Sequence, residues 1–311
     1  FLYLIADDAQ FNQHFYVFRT DAFGAPQGPP TQAMKVNGLW DLQFDPRADF
    51  AYAVTRIPYY NGYQATFSLR RFLVDPNTGR ITQPVVQEKY LLDVDPSGKD
   101  CALNVVGFNP HATFLYDAVI CYNRDTEGAT YYERTLNSQT GALGPDVQIY
   151  NWIDGSGGFE SIHFIGGLMF DLVMPNDFQQ GINYVDIYPR VPNTSHPILS
   201  CTAEMLHACA YDTGLVHPSG KYLFMRDSSN IYQIDKVELS QKRIVATGNS
   251  VPLNWFGPFS PDGTLLYGSN NGSGSGYFVQ IYGFNTTTSA VTAGGTIWVP
   301  GSAPIFTAER Y

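Results

Sequence analysis

Two acids, two tryptophans and an amide fall at matching places along a repeat. Trp40, Asn104, Glu160, Asp212, Trp255 and Ser302 each lie four residues before the residue that enters a hairpin turn (Phe44, Phe108, Phe164, Val216, Phe259 and Phe306). The next position holds Asp41, Val105, Ser161, Thr213, Phe256 and Ala303. Glu160 and Asp212 could serve as an acid/base pair on a sugar-like ring or lactone, provided that their surroundings keep one of them protonated. Trp40 and Trp255 would hold such a ring, with Asn104 and Asp41 among its polar contacts, the mixture that furnishes small-molecule sites. The alternative is structural: the tryptophans seal a channel and the acids cap backbone N–H groups.

Arg226 follows Phe224 by two residues, where other copies have Ile5, Val54, Ala118 and Ser269. A guanidinium at an apolar or small position needs a partner if buried, or a ligand carboxylate or phosphate to hold. Its structural alternative is a local pair with Asp227 or an acid of a neighbouring repeat. His163 alternates with Ile162 and Phe164 and could face the core or the channel, whereas His217 occupies a turn position. Asp7, Asp8, Gln10 and Asn12 form an oxygen-rich loop of the kind that suits Ca²⁺, but their spacing matches no established Ca²⁺ loop and a solvated turn serves as well. Neither a Ser-centred nucleophile elbow nor a phosphate-cradling Gly motif occurs, and no cofactor is expected, with Ca²⁺ in that loop the one alternative left open.

These residues are spaced by a hairpin that recurs. In its clearest copy an apolar run enters Ser260-Pro261-Asp262-Gly263 and a second leaves it through Leu265-Leu266-Tyr267. Pro sets φ at the first corner and Gly accepts the left-handed angles at the last. Phe44 to Tyr52, Phe108 to Tyr116 and Val216 to Phe224 repeat the offset, and Phe164 to Phe170 is a shorter copy. The sixth copy is split, with Phe306 near the end of the chain and Phe1-Leu2-Tyr3 at its beginning. Six outer turns accompany them, at residues 21–24, 75–79, 138–141, 192–194, 240–242 and 285–287. A strand unit recurring at a period of about 50 residues is the mark of a β-propeller. The expected fold is therefore all-β: six four-stranded antiparallel blades in one domain spanning residues 1–311, closed by strands from both ends of the chain. The expected blades cover residues 1–36 (with 304–307), 38–93, 102–152, 159–203, 210–250 and 254–299. Residues 94–100 look like another inner turn, which would make seven blades, but too few residues separate them from the next copy and they read as a loop.

Composition agrees. Aromatic residues make up 15% of the 311 and charged residues only 15%, a balance that suits sheets stacked face to face. A net charge of −10 with no basic run excludes a nucleic-acid partner, and no apolar run is long enough for a membrane span. The chain starts in a strand without Met, as expected of a trimmed product. Four cysteines and little Lys favour a secreted or periplasmic protein. Cys101 and Cys121 flank the third inner hairpin on one face and could bridge, and Cys201 and Cys209 flank a short loop; four buried free thiols are the alternative. Asn-x-Ser/Thr triplets at Asn193, Asn271 and Asn285 matter only if the source glycosylates.

The hairpin pattern of Phe259–Tyr267 and Val216–Phe224, joined to the outer turn of Asp75–Ile81, resembles the lactonase-like propellers: the 6-phosphogluconolactonase, carboxymuconate-cyclase and YVTN-repeat proteins. The resemblance covers nearly the whole chain and implies a propeller whose central cup takes a lactone or a carboxylated ring. Two departures stand against carrying over a catalytic residue. That family usually has seven blades, and its Pro-Arg-His triplet is missing here. The calcium-binding Glu of six-bladed sugar lactonases is missing too. Two readings of function follow. One is a lactonase-like hydrolase or cyclase in which Glu160, Asp212 and Arg226 act and Trp40, Asp41, Asn104, His163 and Trp255 bind. The other is a non-catalytic propeller that binds a glycan or a protein segment through Trp40, Trp255 and the b–c loops. A monomer is expected in either case.

Overall fold

The computed structural model describes residues 1–7, 13–35, 38–58, 63–82, 84–94, 99–109, 111–123, 126–154, 159–165, 167–174, 184–189, 197–202, 213–226, 231–253, 255–260, 262–270, 276–300 and 305–308. They form six four-stranded antiparallel sheets. The first blade contains β1 (Leu2–Asp7), β2 (Gln13–Phe18) and β3 (Gln32–Lys35); the second, β4 (Leu39–Phe44), β5 (Phe50–Pro58), β6 (Gln64–Leu73) and β7 (Val85–Asp93). The third is β8 (Lys99–Phe108), β9 (Phe114–Asn123), β10 (Thr126–Leu136) and β11 (Leu143–Asp154). The fourth is β12 (Phe159–Ile165), β13 (Leu168–Met174), β14 (Tyr184–Pro189) and β15 (Leu199–Thr202). The fifth is β16 (Thr213–Val216), β17 (Tyr222–Arg226), β18 (Ile231–Glu238) and β19 (Arg243–Pro252). The sixth is β20 (Trp255–Phe259), β21 (Leu265–Asn270), β22 (Gly276–Phe284) and β23 (Val291–Pro300). Finally β24 (Ile305–Ala308) returns to pair with β1, Phe306 opposite Leu4, and completes the first blade. The chain is a six-bladed propeller whose ring is closed by its two ends. Among the described residues there is no seventh blade: Val94 bridges to Asp100, and the next strand after β7 is β8. The third blade starts at Lys99 rather than at 102, so Cys101 lies within its inner strand.

Four of the inner hairpins show how turn chemistry builds the corner. Asp45, Asn109, His217 and Ser260 are all buried, and the carbonyl of each accepts the N–H of the residue three further on. That fourth residue takes the left-handed conformation in every case, as Ala48, Ala112, Gly220 and Gly263. The side chains of Asp45, Asn109 and Ser260 also accept the N–H that starts the outgoing strand, which satisfies that donor at the corner.

Alternation along the strands sends one set of side chains towards the preceding blade and the other towards the next. Leu223, Met225 and Val237 pack on Phe170, Leu172 and Ile187 of the fourth blade, while Phe224, Tyr232 and Ile234 pack on Leu266, Tyr282 and Phe284 of the sixth. Polar clips reinforce these seams. The Gln13 amide pairs with both backbone groups of Leu39, at 2.8 and 2.7 Å, and the Tyr52 hydroxyl donates to the Gly141 carbonyl at 2.6 Å. Between the second and third blades buried Arg134 meets buried Asp117 at 2.9 Å and also contacts Glu88 and the Tyr90 hydroxyl. Burial pushes Asp117 up to about 6 and Arg134 opposes that shift. No helix among the described residues is long and apolar enough to cross a membrane.

Candidate active site at the mouth of the channel

The inner strands β24, β4, β8 and β12 lie side by side around the axis, with β16 beside β12 and β20 beside β24. All start at the end where the d-to-a and b-to-c connections meet, the mouth. Trp40 lies at an irregularity in β4, where the register slips between Leu39 opposite Thr55 and Asp41 opposite Val54. Such a bulge re-aims the side chains next to it. Glu160, opposite Val173, and Trp255, opposite Ser269, lie at the mouth ends of their strands, whereas Asn104, opposite Ala118, lies in the middle of β8. In register Asp41, Asn104 and Trp255 lie at one level of the ring, and in the third blade that level is overtopped by the extended strands. The side chains of Trp40, Asp41, Glu160 and Trp255 are outside the described part, and Asp212 lies outside the described residues, one step before Thr213 at the start of β16.

Arg226 is better defined. It ends β17 opposite Thr213 on one side and Tyr232 on the other, so it stands at the mouth one strand outward from the inner ring. Its face is that of Phe224 and Tyr232, towards the sixth blade. The guanidinium is half-buried and hydrogen-bonds the Tyr232 hydroxyl, whose pKa is raised by burial and held back by that cation. Asp227, the other candidate partner, lies outside the described residues. His163 is opposite Phe170, whose ring belongs to the seam between the fourth and fifth blades, so the imidazole shares that face. Burial pushes its pKa down to about 4, which keeps it neutral near pH 7. His217 is a turn residue: its Nδ1 accepts the Ser219 N–H at 3.1 Å and its Nε2–H donates to the Gly263 carbonyl at 2.9 Å.

Two features of the mouth escaped sequence reasoning. Arg56 lies two residues past Val54, opposite Phe67 on β6, with its guanidinium 5.8 Å from that ring's centre. It is a second half-buried cation on the mouth side. Its only trace in the sequence is a basic residue two beyond the position that singled out Arg226. The second feature is a wall. β5 runs four residues past Val54 and β9 five past Ala118, to Pro58 and Asn123, whereas β17 stops at Arg226. At about 3.3 Å per residue the second and third blades rise roughly 15 Å above that level. A disulfide between the directly opposed Cys101 and Cys121 ties the third blade's inner hairpin within this wall. Cys201 lies on β15 with its side chain undescribed, and Cys209, Asp8, Gln10 and Asn12 lie outside the described residues.

No protein-family model matches the chain, and no curated protein matches it in sequence. Solved structures do match in fold. A Bacteroides fragilis protein with a provisional 6-phosphogluconolactonase name shares 14% identity and a TM-score of 0.53 over 99% of this chain and 98% of its own. A protein of the same provisional name from Bacteroides uniformis shares 13% identity and a TM-score of 0.54 over 98% of this chain and 99% of its own. TolB from Acinetobacter baumannii gives 11% and 0.53 over 99% of this chain and 66% of its own. At such identities the likeness concerns the fold alone. In fold, the chain is a six-bladed β-propeller similar to these structures.

Proposed function

We propose that this propeller is a hydrolase that opens a sugar-derived or carboxylated lactone in the cup at the mouth of its channel. What supports the reading is that Glu160, Arg226 and Thr213, the residue after Asp212, belong to the mouth ends of β12, β17 and β16. End-to-end likeness to two propellers with provisional lactonase names supports it. In the proposed reaction one carboxylate, Glu160 or Asp212, takes a proton from water as its oxygen attacks the lactone carbonyl carbon. The ring C–O bond then breaks, and the other acid, initially protonated, delivers its proton to the departing ring oxygen. Lactone and water become a hydroxy acid. Arg226 suits a carboxylate or phosphate on the substrate. Trp40 and Trp255 would take the apolar face of the ring, with Asn104 and Asp41 as further contacts.

A panel of aldonolactones, assayed by acid release above the uncatalysed rate, tests this. Glu160→Gln should lower kcat by about 10²–10⁴-fold, the usual worth of a general acid or base. Unchanged turnover would remove Glu160 from the chemistry. The missing Pro-Arg-His triplet favours a second reading, a non-catalytic propeller that binds a glycan or a protein segment through Trp40 and Trp255. Absence of lactone turnover, with glycan binding lost in Trp255→Ala, would support it. We also propose an exported monomer, because the Cys101–Cys121 disulfide suits an oxidising compartment.

A further inference from the structure

On the outer flank of the sixth blade two aromatic rings face solvent side by side. Phe278 on β22 is 50% exposed and Trp298 on β23 is 54% exposed, and the two are direct cross-strand partners. Their neighbours Val279 and Ile297 turn the other way, into the seam with the first blade, so alternation puts both rings on the face towards the fifth blade. Cross-strand partners have Cβ atoms about 5 Å apart, which makes the rings one continuous surface. The next pair on this face is Gln280 and Thr296. The Thr296 hydroxyl donates to Gln280 Oε1 at 2.9 Å, and Gln280 Nε2 donates to the Gly294 and Gly295 carbonyls at 3.2 and 3.0 Å. The rings are therefore bordered by a fixed amide and a hydroxyl, with no charged residue at these four positions.

We propose that Phe278 and Trp298 form a stacking platform for a neutral oligosaccharide, separate from the cup and independent of what the cup does. A pyranose ring has one face of polarised C–H groups that suits the negative face of an aromatic ring, and hydroxyls at its edge that suit an amide and a hydroxyl. A second copy of this chain fits worse. A stable interface needs about 800 Å² from each partner. Two half-exposed rings offer roughly 200 Å². Each chain also carries a net charge of −10.

Cellohexaose, xylohexaose, maltohexaose and chitohexaose, titrated against the protein by calorimetry and by saturation-transfer NMR, supply the test. At least one should bind. Phe278→Ala/Trp298→Ala should weaken that binding at least tenfold, while Trp298→Tyr keeps most of it. Because both rings are exposed, the double variant should melt like the wild type and should hydrolyse a lactone at the wild-type rate. Failure of all four sugars to bind would overturn the proposal, as would binding that survives in the folded double variant. A mass in sedimentation that falls from dimer to monomer in the double variant would overturn it too, by assigning the rings to self-association. Loss of lactone turnover in a cup variant bears on the cup alone.

Discussion

Asp235 carries a carboxyl where four other blades carry an aromatic ring. Opposite the residue that precedes the hairpin aromatic stand Phe18, Phe72, Tyr188 and Tyr282, and in the third blade Arg134. Arg134 has Asp117 to meet it. Asp235 is buried on the face of Val237, in a seam lined by Leu223, Phe170, Leu172, Val185 and Ile187, and no donor among the described residues reaches either of its oxygens. Desolvation pushes its pKa up to about 7. The sign follows from proton uptake: between about 4 and 7 the folded protein holds a proton that the unfolded chain has lost. The contribution of Asp235 to stability is therefore greatest below about 4, falls as pH rises through 7, and is constant above. The cost above pH 7 is roughly 4 kcal/mol for a shift of this size. Asp235→Leu should remove that dependence and stabilise the protein by a few kcal/mol at pH 8, with a smaller gain at pH 5. Urea unfolding at the two pH values checks this, and an unchanged pH slope would contradict it.

At the scale of the element, the hairpin corners make a sharper comparison. Gly220 and Gly263 hold the same left-handed place in adjacent blades. A Cβ on Gly220 would have its nearest neighbour at 3.5 Å, whereas one on Gly263 would meet His217 Cε1 at 2.3 Å. Gly220→Ala should cost about 1 kcal/mol, the price of left-handed backbone alone. Gly263→Ala should cost several times more, and combining it with His217→Ala should recover part of the loss, which thermal melts of the four proteins would show. The corners were legible because Pro and Gly chemistry is local: Ser260-Pro261-Asp262-Gly263 states its own geometry. Ala48 and Ala112 hold the same conformation without a glycine to announce it, and only their register with Gly263 reveals them. Strand ends were less legible. Nothing punctuates Lys99-Asp100-Cys101, so the extension that lifts the third blade above the mouth was read as loop. Arg56 was missed for a similar reason: it continues an alternating strand, and what sets it apart is the height of that strand.

In the whole molecule the ring depends on a short join. β24 supplies four residues, Ile305–Ala308, and through them the first blade receives its inner strand. Deleting 305–311 should expose the edge of β1 and lose the cooperative melt, with aggregation on size exclusion, because an open propeller leaves an unpaired inner edge. A monomer that still melts as one unit would show that closure is dispensable. Six blades could be counted from the sequence because the repeat declares itself in every copy, even the split one. The mouth could be located but not furnished: register names the positions that share one level, and no spacing reveals the irregularity in β4 between Leu39 and Asp41. The most direct test is a crystal structure of the protein soaked in an aldonic acid, the product class of the proposed reaction. One molecule should be found at the mouth, within hydrogen-bond reach of Arg226 and of at least one of Glu160 and Asp212. A molecule bound elsewhere, or Glu160 and Asp212 turned away from a common opening, would contradict the proposed cup.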